Sequence, residues 1–147
     1  MKEINLGDYR SDVELLIKYI PWFESKKGTN VSSQYSGDGL SKSTFTFPVY
    51  ETMLLNFIND AQKTALIDAN YAYAYSGNNI YTVEDEFKVI EEAALKNANV
   101  LCSILSKYVL GGMTKGTVWS TGVENGIFLA VLKKMKLLLD IWDAPLA

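Results

Sequence analysis

The chain has 147 residues, 48% of them hydrophobic and 21% charged, with a formal net charge of -3. That length suits one globular domain spanning residues 1–147 with a proper core, and that composition excludes wholesale disorder. The absence of histidine and the lone cysteine exclude Ser-His-Asp and Cys-His catalysis within one chain and leave a metal site only carboxylates to build on, so neither a metal nor a cofactor is expected.

The N-terminal MKEINLGDYRSD contains no apolar h-region, and no run of about 18 uncharged apolar residues follows, so neither a signal peptide nor a membrane span is expected and a cytoplasmic location is. The first predicted helix covers about Asp12 to Tyr19, with Ser11 or Asp12 as its cap and Val13, Leu16, Ile17 and Ile20 on one face. Pro21 should kink or break it, and Trp22 and Phe23 should then dock on the core. Residues 25–43 (SKKGTNVSSQYSGDGLSKS) are polar, rich in Ser and Gly and without a helical period, which predicts a flexible loop.

TFTF, Thr44 to Phe47, alternates as a strand does, and Pro48 can open a second helix in which Tyr50, Leu54, Phe57, Ile58 and Ala61 share a face. The following LIDANYAYAYSGNNIYTVEDE supports two readings. Tyr71, Tyr73 and Tyr75 alternate with Ala72 and Ala74 as in an edge strand, with IYTV as the return arm of a hairpin, or both pieces are irregular. A base-stacking platform would need flanking positive charge, whereas the neighbours are Asp68, Glu84, Asp85 and Glu86.

Thr82 and Asp85 have capping-box spacing and start a helix that uses Val83, Phe87, Ile90 and Ala94. The acidic triplet at 84–86 suits the positive end of a helix dipole and needs no metal to explain it. Asn97 or Asn99 caps the next helix, whose buried face is Leu101, Ile104, Leu105 and Tyr108 and whose expected end is Gly111-Gly112. Cys102, within NVLCSIL, reads as a buried and inert thiol.

Five of the ten glycines fall in VLGGMTKGTVWSTGVENG, Val109 to Gly126. A phosphate-binding loop starting at Gly111 would place Gly116 correctly, but its lysine should follow Gly116, where Thr117 stands, and Lys115 comes one place early. The preceding segment also has helical rather than strand spacing, so these glycines read as helix punctuation. The last predicted helix opens near Asn125-Gly126 and carries the strongest period in the chain: Phe128, Val131, Leu132, Met135, Leu138, Leu139 and Trp142. Ile127, Leu129, Leu137 and Ile141 add apolar surface outside that stripe, which makes Ile127, Leu137 and Ile141 candidate interface residues.

KGTVWSTGVENGIFLAVLKKM, residues 115–135, resembles the end of a bacterial family of small uncharacterised proteins with a domain of unknown function. That pattern is a glycine, nine or ten polar or acidic residues, a second glycine and an apolar-basic helix; Gly116, Glu124, Asn125, Gly126, Val131, Leu132, Lys133, Lys134 and Met135 match it. ELLIKYIPWFE, residues 14–24, is similar to the family's early helix. The chain departs from the pattern at Met113-Thr114-Lys115, where an arginine-aromatic pair is expected, and at the Tyr-Ala alternation, which replaces an acidic-tryptophan element. The resemblance implies a compact helical fold and no particular activity.

The expected architecture is therefore a mainly α, single-domain bundle of five or six helices, with room for one small β-hairpin or short strand pair. The expected function is a cytosolic, non-enzymatic module that binds a protein partner or itself. The alternative is a small-ligand binder or an enzyme working through carboxylates and lysine. For that alternative, Glu24, Asp68, Lys115 and Glu124 are the candidate groups and Trp119 the pocket wall, with no catalytic set assigned. Nucleic-acid binding through Lys133, Lys134 and Lys136 is disfavoured, because one arginine and a net negative charge give it little support and a solvated helix face accounts for those lysines.

Overall fold

The first helical face forms where the sequence places it. A computed structural model describes residues 6–28, 32–35, 47–115 and 117–143. A 3-10 turn, Leu6–Tyr9, leads into α1 (Arg10–Ile17), which buries Val13 and Leu16. Tyr9 occupies the N-cap of α1 rather than Ser11 or Asp12, and the Asp12 carboxylate instead accepts the Ala65 N–H at 3.2 Å. The chain breaks after Ile17 and restarts as α2 (Ile20–Lys26), with Pro21 in the first turn, where a missing N–H leaves nothing unpaired. Phe23 is buried and Trp22 partly so.

Two short strands, β1 (Ser32–Tyr35) and β2 (Phe47–Tyr50), pair antiparallel, with Ser32 opposite Tyr50 and Tyr35 opposite Phe47. This position differs from the one expected. Of the predicted 25–43 loop, residues 25–26 belong to α2 and 32–35 to β1, while 29–31 and 36–43 lie outside the described residues, as does most of TFTF. Pro48 and Tyr50 belong to β2 and not to the following helix, α3 (Thr52–Lys63). Leu54, Phe57, Ile58 and Ala61 do form the buried stripe of α3.

The tyrosine alternation is a helix, α4 (Tyr71–Gly77), and no hairpin forms over 71–83. Residues 71 and 75 satisfy a period of two and a helical i,i+4 spacing at once, so the pattern itself cannot decide. Ala72 and Ala74 favour the helix, Tyr71 and Tyr75 meet edge to face at 6.4 Å, and Tyr73 is left 73% exposed. Asn79, at φ 55°, ends the turn.

The capping box of α5 (Val83–Glu92) forms as its spacing predicts. Thr82 Oγ1 accepts the Asp85 N–H at 3.1 Å, and the Asp85 carboxylate accepts the N–H groups of Tyr81 and Thr82 at 2.9 and 3.1 Å. A 3-10 turn, Leu95–Asn97, then leads into α6 (Asn99–Thr114). Ala98 is the N-cap of α6, and the Asn97 side chain instead caps the 3-10 turn by accepting the Ala94 N–H at 2.7 Å.

Helix α6 is buried on nearly every side, from Val100 to Val109. Its hydroxyls are satisfied within the helix: Ser103 donates to the Asn99 carbonyl and Ser106 to that of Cys102, at 3.1 and 2.6 Å. Cys102 is 1% exposed, and burial pushes its thiol up to about 12, so it is inert at neutral pH. The helix does not end at Gly111-Gly112, because Gly112 has a tertiary use. A Cβ there would fall inside the indole of Trp119, on α7 (Thr117–Glu124), and Trp119 Nε1 donates to the Val109 carbonyl at 2.9 Å. The bare backbone at 112 is the notch that seats this ring.

Gly126, at φ +84°, makes the left-handed turn between α7 and α8 (Ile127–Asp143). Helix α8 touches the first 3-10 turn, α1, α2, α5, α6 and α7. Phe128 meets Phe57, Phe23 and Tyr108 at ring-centroid distances of 5.1, 5.6 and 5.9 Å, and this cluster knits α2, α3, α6 and α8 together. Eight α-helices are thus present among the described residues instead of five or six, because Pro21 splits the first and the tyrosine segment supplies another.

Candidate functional site

The five side chains suggested by the sequence stand in separate surroundings. Glu24 is half-exposed and lies 3.8 Å from Lys133 in a surface ion pair, a kind of pair that contributes little. Asp68 closes a turn by accepting the Asn70 N–H at 2.8 Å, while its own N–H donates to Ser106 Oγ at 2.8 Å. Lys115 is exposed at the end of α6, Trp119 fills the Gly112 notch, and Glu124 is exposed with its carbonyl accepting the Gly28 N–H at 2.9 Å. Residues 109–114 are helical, so their N–H groups lie along the axis of α6 and do not form a loop around an anion.

A different carboxylate is the centre of a polar cluster. Glu86, on α5, is 2% exposed. It accepts the phenol of Tyr75 (α4) on Oε2 at 2.5 Å and the phenol of Tyr108 (α6) on Oε1 at 2.7 Å. Lys107 Nζ, on α6, stands 3.7 Å from Oε2 and 4.5 Å from the Tyr75 ring centroid. Burying one ion costs several kcal/mol. Two hydrogen bonds to a charged acceptor offset about 1.5–3 kcal/mol each, so this carboxylate is tolerated because both phenols reach it.

The sequence hid this cluster behind a sound local argument, since Glu86 belongs to an acidic first turn that the helix dipole already explains. The available signal was spacing. Glu86 and Ile90 are the buried residues of α5 and Ala93 is buried at its C-cap; of the expected Val83-Phe87-Ile90-Ala94 stripe, Ile90 is buried and Phe87 packs partly on the core, while Val83 is 38% exposed. Nothing in the α4 and α6 sequences points their tyrosines at one another.

Burial, followed by hydrogen bonding to Glu86, pushes the phenols of Tyr75 and Tyr108 upward. Tyr19, which donates to Asp60 at 2.6 Å, is pushed up to about 12 by burial and then by Asp60. Its phenol in turn holds the Asp60 carboxyl below its usual range, with Lys18 3.5 Å away. A phenol whose pKa is higher in the folded than in the unfolded chain stabilises the fold fully below the unfolded value of 10.0, and that contribution disappears as pH rises through the folded value. The fold is therefore expected to lose stability between pH 10 and about 12, with a late step of tyrosinate absorbance coinciding with loss of helical circular dichroism. Complete tyrosine titration with the helical signal intact would contradict this.

The second feature is a surface. On α8, Leu137 and Ile141 are one turn apart and 49% and 52% exposed, with Trp142 beside them at 48%. Lys133, Lys136 and Asp140 flank them, all exposed. Ile127, expected on the same surface, is fully buried at the start of α8 and belongs to the core.

No cluster of three or more potential metal-ligating side chains occurs among the described residues, and no described helix is long and apolar enough to cross a membrane. No protein-family model, curated protein or solved structure matches the chain.

Proposed function

We propose that this chain is a non-enzymatic interaction module that pairs with another copy of itself through the outer face of the C-terminal half of α8. The observation that carries this reading is the Leu137-Ile141 pair, two large aliphatic side chains half in water on a helix whose other large aliphatic positions are buried, with the half-exposed Trp142 beside them. An antiparallel two-fold arrangement centred on Leu137 sets Leu137 against its own copy. It also lays Ile141 along the Lys133 stem of the other copy. Two-fold pairing is the commonest form of self-association. Three half-exposed side chains fall well short of the roughly 800 Å² per partner of a stable interface, so the association is weak and reversible. A cytoplasmic setting suits the lone reduced thiol of Cys102.

Sedimentation velocity over a wide concentration series tests the reading. The parent chain should move reversibly toward the mass of two chains, and Leu137→Lys/Ile141→Lys should remain single at every concentration with an unchanged melting temperature. A parent chain that stays single throughout, or a double variant that still pairs, removes the proposal.

A further inference from the structure

The geometry points to an alkylammonium-binding site formed by Glu86, Tyr75 and Tyr108, with the Lys107 side chain as its resident, displaceable occupant. This inference is independent of pairing through α8.

The Lys107 ammonium sits 4.5 Å from the Tyr75 ring centroid and 5.9 Å from that of Tyr108, within the range in which ring faces attract cations. The Tyr75 ring is itself met edge to face by that of Tyr71 at 6.4 Å. Beneath them lies Glu86, the buried negative charge of the site.

The 3.7 Å separation between Lys107 Nζ and Glu86 Oε2 is beyond hydrogen-bonding range, and each carboxylate oxygen already accepts a phenol. The cation is therefore held by charge and ring faces rather than by directed N–H donation. A quaternary or methylated ammonium, which has few or no N–H groups, loses little in such a site, whereas a guanidinium leaves its planar set of donors unanswered. Lys107 is 46% exposed, so its head can swing into water without opening the core.

The probe is tetramethylammonium, titrated at constant ionic strength against sodium and followed by amide chemical shifts at residues 75, 86 and 108. Lys107→Ala should bind it saturably and at least tenfold more tightly than the parent, because the tethered competitor is gone. Adding Tyr75→Leu should abolish the binding. The inference is overturned if Lys107→Ala shows no saturable response, if parent and variant bind equally, or if Tyr75→Leu leaves the affinity unchanged. Lys107→Ser provides the same reading should the alanine variant fold poorly.

Discussion

Glu86→Ala is expected to cost about 2–6 kcal/mol, because it strands two phenol donors at about 1–3 kcal/mol each, while the half-exposed Lys107 can turn to water. The substitution leaves the phenols of Tyr75 and Tyr108 facing a void, although both are buried enough to need a partner. Glu86→Gln retains the shape and one acceptor, so its cost should be smaller, about 1–3 kcal/mol for the donor left unsatisfied. The combination Glu86→Leu/Tyr75→Phe/Tyr108→Phe removes the carboxylate and both phenols at once and should be more stable than Glu86→Ala alone, since it strands no buried donor and the half-exposed Lys107 can turn to water. Urea denaturation of the three variants measures this order. If Glu86→Ala lies within about 0.5 kcal/mol of the parent, the range of an inconsequential surface change, the cluster is not a structural anchor.

Phe128→Ala should be as severe, at about 3–5 kcal/mol. Its ring is fully buried and meets Phe23, Phe57 and Tyr108, residues of three different helices. These neighbours are rings fixed by other contacts, among them the 4.8 Å approach of Phe23 to Phe57, so they cannot collapse into the space left behind. A domain of this size is stable by only about 5–15 kcal/mol, and each 1 kcal/mol shifts the melting temperature by about 2–4 °C. Thermal unfolding should therefore fall by roughly 6–20 °C on that scale. Leu137→Ala is the control and should change stability by no more than about 0.5 kcal/mol. A Phe128→Ala protein as stable as that control would remove the aromatic cluster from its place at the centre of the core.

These expectations mark what the sequence alone could and could not say. The α8 stripe was legible because seven residues repeat at helical spacing, and six of them, Phe128, Val131, Leu132, Met135, Leu138 and Leu139, are buried, while the seventh, Trp142, is 48% exposed. The Thr82-Asp85 box was legible because both partners lie within one turn. Gly112 was misread as a helix end because its use depends on an indole that arrives from the next helix. Tyr71 to Tyr75 misled because strand and helix periods coincide at residues 71 and 75, and only Tyr73 distinguishes them. Glu86 escaped notice because its partners come from α4 and α6, and no local rule connects three helices. Of the chosen interface residues, Leu137 and Ile141 are exposed, but Ile127 lies inside.

The contact between α8 and the first turn has a consequence for how the molecule is made. Leu6 is buried, and a side chain at Gly7 would collide with the Trp142 indole, so the two ends of the described chain close on each other. During vectorial synthesis the greasy sides of α1 and α2 leave the ribosome long before the helix that shields them. Helix α3 can cover part of that surface early, through Phe57 on Phe23, but the sides of α1 and α2 that pack on α8 stay uncovered until Ile127–Asp143 emerges, and such transiently exposed apolar surface favours aggregation.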